Sequence, residues 1–134
     1  MRAARLIVLP VLLAGFFAAG FYGAPLVRIA YAKMFPEPAF VAGDYSSIHR
    51  KAGSSVVMFS TTTCPYCAKT RALFAKAGVA YVDYAIDTSA QAKEEFERLG
   101  GGGVPLIYIG DRRIHGFRED AIRDALARQS APSG

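Results

Sequence analysis

At 134 residues, 52% apolar and 20% charged, the chain is sized for one compact domain and is too apolar for an extended disordered polymer. Its net charge of +5 would suit a polyanion if it were concentrated on a folded surface. Instead, residues 1–51 hold six Lys/Arg against Glu37 and Asp44, while ten basic residues beyond them face nine acidic ones, so the excess flanks an apolar segment and a nucleic-acid partner is not expected.

That segment, Leu6 to Val27, has 22 residues without a formal charge. As a helix it would be roughly 33 Å long, enough for the ~30 Å hydrocarbon core of a bilayer. Arg2 and Arg5 precede it, and Tyr22, Tyr31 and Phe35 lie near its far end, where aromatic rings favour the membrane boundary. Residues 1–33 are read as an uncleaved signal anchor, giving a single-pass inner-membrane protein with its soluble domain facing the periplasm. The alternatives are a cytoplasm-facing domain, or secretion after cleavage near Ala32, since Ala30-Tyr31-Ala32 has the small-x-small form of a cleavage site.

Residues 34–53 contain Pro36, Pro38 and Gly43 and read as a linker, with Asp44 placed to cap a short helix running towards Lys51. Residues 54–130 carry the folded domain, and 131–134 are a tail. Ser55 to Ser60 is a continuous apolar and β-branched run, as expected of a central strand covered on both faces. A helix follows from Pro65 to Ala77, stopped by Gly78; Ala80 to Ile86 alternates as a second strand; Thr88 or Ser89 caps a helix through Leu99. After four glycines come a strand from Val104 to Ile109, a turn at Gly110-Asp111, a return strand from Arg112 to His115, and a helix from Glu119 to Gln129. The order β-α-β-α-β-β-α, with a right-handed crossover and a terminal hairpin, predicts an α/β fold with a mixed four-stranded sheet flanked by helices.

The only two cysteines, Cys64 and Cys67, stand three residues apart at the strand-to-helix junction. On a helix that spacing brings the two Cβ atoms to about 5 to 6 Å, within small adjustment of a disulfide. Cys64, at the cap or first position, meets unpaired N–H groups and the positive end of the helix dipole, which favour its thiolate; it is the expected nucleophile. Cys67, one turn in, is the expected resolving thiol. Pro65 suits the first turn, where it has no hydrogen bond to lose. Three other readings stay open: a structural disulfide, which would stabilise little across so short a loop; a zinc site completed by His49 and His115; and an iron–sulfur cluster bridging two chains through Cys64.

With Cys64-Pro65-Tyr66-Cys67 and Gly103-Val104-Pro105 placed, Ser55 to Ala127 resembles the glutaredoxin family, and hence the thioredoxin-like fold. The resemblance implies a thiol–disulfide oxidoreductase acting on disulfide-containing proteins or glutathione adducts, with no bound cofactor, glutathione as a possible co-substrate, and glutathione or a thioredoxin reductase-type donor supplying electrons. It implies a cis peptide at Val104–Pro105, with the Val104 backbone beside Cys64, and a substrate or glutathione site formed by Thr61, Tyr66, Val104, Pro105, Gly116, Phe117 and Arg118. Thr61 and Gly102 stand where glutathione-using members carry basic residues that would grip a carboxylate. Gly116-Phe117-Arg118-Glu119-Asp120 is similar to the Gly-Phe-Arg-x-Asp of glutaredoxin-like hydrogen donors of ribonucleotide reductase. Read without the resemblance, Phe117 is equally a core residue, His115 a structural one, and Lys69 and Arg71 the polar face of their helix.

Overall fold

The computed structural model describes residues 2–34 and 38–130, in two compact units divided after Pro38. Phe35 and Pro36, and the 131–134 tail, lie outside the described residues. The first unit is one helix, α1 (Arg2–Met34), which contains Pro10 and Pro25. Its stretch Leu12–Tyr31, 20 residues with a mean hydropathy of 1.5, is long and apolar enough to cross a membrane by length and composition.

The second unit contains β1 (Val41–Ala42), α2 (Ser46–Ala52), β2 (Val56–Ser60), α3 (Pro65–Ala77), β3 (Val82–Ala85), α4 (Ala90–Arg98), β4 (Leu106–Ile109), β5 (Arg112–His115) and α5 (Glu119–Ser130). The sheet runs β1-β5-β4-β2-β3; β2 and β3 are parallel and every other neighbouring pair is antiparallel. The strands from β2 onward follow the expected order. The expectation of four strands is corrected to five: β1 pairs Val41 with Arg113 and Ala42 with Arg112 on the free edge of β5. Two residues show no alternation, so β1 had no sequence signal; it exists because the edge of β5 offers unpaired backbone groups to the incoming chain.

That docking is reinforced by side chains. The Arg112 guanidinium lies 3.9 Å from the centre of the Phe40 ring and donates to Asp124 Oδ2 at 2.6 Å, so a buried cation is covered by an aromatic face and paired with a carboxylate. The Gly43 N–H donates to the Asp111 carbonyl at 2.9 Å. The Asp44 carboxylate accepts the Ser46 N–H at 2.9 Å, at the start of α2.

β2 is buried along its whole length because helices cover both faces of the sheet. Val56 and Met58 face Leu73 and Phe74 of α3 and Ile122 and Leu126 of α5. Val57 and Phe59 point the other way, to Ile48 of α2 and Phe96 of α4. This is the period-two alternation of a strand with an apolar core on each side. Each fully buried large side chain, such as Met58, Phe59 or Phe74, contributes about 1.5–3 kcal/mol of transfer free energy. The sheet is thereby a rigid base from which the β2–α3 loop projects.

Candidate functional site

β2 ends at Ser60, the loop Thr61-Thr62-Thr63 leads out of the sheet, and α3 begins at Pro65. Cys64 is the N-cap of α3, with φ −76° and ψ 117°. Its sulfur does what a serine or aspartate oxygen does at other helix starts: Sγ accepts the Cys67 backbone N–H at 3.2 Å. Both cysteines are free thiols; Cys64 is half-buried and Cys67 has 0% exposure. Partial burial pushes the Cys64 thiol up, but hydrogen bonds from the Cys67 side chain and from the Cys67 and Tyr66 backbone, with the Arg71 charge, outweigh it and hold its pKa below the usual thiol value. Burial, with the S–H it directs at Cys64, pushes Cys67 up to about 11, against an opposing bond from the Thr61 backbone.

The two sulfurs therefore differ in kind. One is accessible, with its pKa held low; the other is enclosed, with its pKa raised to about 11.

The structure brings Val104 to this pair: its carbonyl oxygen lies 3.9 Å from Cys64 Sγ, and the Val104–Pro105 peptide is cis. Tyr66 stands beside Cys64 at 55% exposure, with Lys69 Nζ 5.3 Å above its ring. The Gly116 N–H donates to the Pro105 carbonyl at 2.8 Å, which joins the end of β5 to the loop before β4. Phe117 packs against the core cluster beneath α5, and the Arg118 carbonyl accepts the Ile122 N–H as α5 begins. His115 is exposed; its Nε2 donates to the Gly103 carbonyl at 3.2 Å, so it braces the glycine loop that delivers Val104. His49 is placed elsewhere: its ring nitrogens lie 3.1 Å from the Ser54 carbonyl and 2.8 Å from that of Gly110, at the opposite end of β4 from Val104. Among the described residues no three His, Cys, Asp or Glu side chains cluster as metal ligands would.

Two features of the site have no counterpart in the sequence reading. The Thr62 N–H and hydroxyl both donate to Asp87 Oδ2, at 2.8 and 2.5 Å, so the loop before Cys64 is pinned to the turn after β3. Arg71, read as part of a polar helix face, is half-buried: its Nε donates to Asp83 Oδ2 at 2.7 Å and its terminal nitrogen to Ser60 Oγ at 2.7 Å. The available signal was its position four residues after Cys67, which puts both on one face of α3.

Residues 56–114 match the family model described as Glutaredoxin. A glutaredoxin of Neisseria meningitidis serogroup B is 37% identical over 67 residues, covering 48% of this chain and 79% of that protein. Glutaredoxin 3 of Escherichia coli K12 is 36% identical over 73 residues, covering 54% of this chain and 88% of the relative. A solved glutaredoxin from Archaeoglobus fulgidus superposes with a TM-score of 0.51 at 24% identity, over 62% of this chain and 95% of that one, a likeness of fold. Two inequivalent thiols at the start of a helix, on a thioredoxin-like sheet and in a sequence of this kinship, lead to one conclusion: the chain belongs to the glutaredoxin family and is a thiol–disulfide oxidoreductase.

Proposed function

We propose that the chain is a membrane-anchored dithiol reductant in which Cys64 attacks and Cys67 resolves. The observation that carries this reading is the asymmetry between the two sulfurs: Cys64 is accessible, with its pKa held low at the helix N-cap, and Cys67 is buried and pushed up to about 11. The Cys64 thiolate attacks a protein disulfide or a glutathione mixed disulfide, forming a bond to one substrate sulfur and expelling the other as a thiolate that takes up a proton. Cys67, once deprotonated, attacks Cys64 Sγ, expels the second substrate thiol and leaves a Cys64–Cys67 disulfide. Two electrons pass from the dithiol to the substrate.

Thr61, Tyr66, Val104, Pro105, Gly116, Phe117 and Arg118 form the substrate rim in this reading, with Val104 supplying backbone groups and Tyr66 an exposed ring. No cofactor is needed, and glutathione enters as co-substrate. With Thr61 and Gly102 in place of basic residues, the grip on a glutathione carboxylate is loosened. The Gly116–Asp120 similarity places a thioredoxin reductase-type donor beside glutathione as the source of electrons. α1 is the anchor, with the domain on the periplasmic side.

The test is disulfide exchange in vitro. Cys64→Ser abolishes it, and Cys67→Ser accumulates mixed disulfides with the substrate; an active Cys64→Ser protein overturns the reading. For the anchor, a reporter fused after Gly134 should fractionate with membranes and work only outside the cytoplasm. Activity confined to the cytoplasm reverses the assigned orientation.

A further inference from the structure

Arg71 lies one turn beyond Cys67 on the same face of α3. Its guanidinium is held by two residues of the sheet and one of the loop that leaves it, rather than extended into solvent. Nε donates to Asp83 Oδ2 at 2.7 Å, and a terminal nitrogen donates to Ser60 Oγ at 2.7 Å and reaches the Thr61 carbonyl at 3.5 Å. Ser60, at 0% exposure, donates its own hydroxyl to Asp83 Oδ1 at 2.5 Å, so the carboxylate is fixed in turn. Ser60 and Thr61 are where β2 becomes the active-site loop, and Asp83 stands on the adjacent parallel strand. Through Ser60 Oγ and the Thr61 carbonyl, Arg71 holds the corner at which β2 turns into the loop that leads to Cys64 and Cys67. The same guanidinium thus fixes the base of the active-site loop and carries the cation on the face of α3 that it shares with Cys67.

We propose that Arg71 is a positioning residue for the resolving half of the exchange: clamped by Asp83 and Ser60, it fixes the Ser60–Thr61 corner of the active-site loop and supplies fixed positive charge, one turn beyond Cys67, as that sulfur ionises. The proposal rests on the reading of Cys64 as nucleophile and Cys67 as resolving thiol. In the step concerned, Cys67 gives up its proton to solvent and its thiolate attacks Cys64 Sγ. The Cys64–substrate bond breaks, and the departing thiolate takes a proton. A guanidinium is suited to this because it stays charged at every working pH and its planar fork can serve several acceptors at once. The field of Arg71 lowers the pKa of both thiols, in keeping with this geometry. A purely mechanical alternative, in which Arg71 only ties α3 to the sheet, predicts altered stability with no preference between the two steps.

The experiment is a single turnover of the reduced full-length protein with one equivalent of a symmetric aryl disulfide whose released thiolate absorbs visible light. Attack by Cys64 releases the first thiolate, and resolution by Cys67 releases the second. In Arg71→Met the second phase is expected to slow by roughly tenfold while the first changes by less than about threefold, and Arg71→Lys should lie between Arg71→Met and wild type. Equal slowing of both phases, or a second phase within about twofold of wild type, overturns the proposal. Should Arg71→Met not fold, Arg71→Lys decides alone: loss of the fork slows the second phase by at least about threefold, and a wild-type second phase overturns the proposal. Failure of the underlying reading looks different, because the first phase would then survive Cys64→Ser or the second would survive Cys67→Ser.

Discussion

The Cys67 backbone N–H donates to Cys64 Sγ at 3.2 Å, so the residue that carries the enclosed thiol caps the exposed one. An N-cap needs an acceptor for the free N–H groups of the first turn, and a thiolate is a better acceptor than a thiol. Capping and ionisation therefore favour each other.

Alkylation of the reduced protein should reflect this. With iodoacetamide at neutral pH, one adduct is expected, on Cys64, and the midpoint of its rate against pH should fall below the ordinary thiol value of 9.0. A second adduct on Cys67 should appear only as the pH approaches about 11. Mass spectrometry after limited labelling checks both, and equal labelling of the two cysteines at neutral pH contradicts the assignment.

The raised Cys67 pKa also has a sign for stability. Between the unfolded value of 9.0 and the folded value of about 11, the unfolded chain binds fewer protons than the native one. The stability of the reduced protein should therefore be unaffected by this group below pH 9 and fall as pH rises towards about 11. Denaturant titrations of wild type and Cys67→Ala under reducing conditions isolate the effect. The gap between them should change over that window by on the order of 2 kcal/mol, to the cost of wild type. A gap independent of pH refutes it.

The two departures at basic positions are not equivalent. Thr61 is half-buried in ordinary backbone geometry, so Thr61→Lys adds a cation without strain and should lower KM for glutathione mixed disulfides about two- to fivefold, as expected of a partly exposed ion pair. Gly102 has φ +102°, and a Cβ there would lie 3.0 Å from His115 Cε1. Gly102→Lys should therefore displace the loop carrying Val104 and reduce kcat/KM. Steady-state kinetics of both variants check the contrast; improvement by Gly102→Lys defeats it.

Phe40 covers Arg112 near the Gly110–Asp111 turn, at the far end of β4 from Val104. Phe40→Ala should cost about 1–2 kcal/mol. For a unit of this size that lowers Tm by roughly 5–10 °C. Thiol reactivity should not change. Calorimetry with an alkylation assay on the same sample tests whether β1 docking and the site are independent, and altered Cys64 reactivity rules that out.

The features legible from the chain alone are those in which the interacting parts are close in sequence. Pro65 to Ala77 has apolar residues at helical spacing, a proline at its first position and Gly78 at its stop, so the bounds of α3 and the position of Cys64 at its start follow from local rules. The burial of β2 is visible in Ser55–Ser60 because a strand covered on both faces has no room for alternation. The charge-free run within α1 is likewise a property of composition and length.

Tertiary structure decided what depends on partners remote in the chain. β1 is strand only because the edge of β5, some seventy residues later, was open to it. Thr62 is tied down because folding brings Asp87 within 2.8 Å of its N–H, and Arg71 was one of several polar helix residues until β3 presented Asp83 beneath it. The spacing of Cys64 and Cys67 determined that they could exchange a disulfide, because three residues is one helical turn. Which sulfur is exposed, which is enclosed, and what charge stands behind them was decided by the sheet and the loop at Val104, since burial and electrostatic fields are set by contacts that no local pattern encodes.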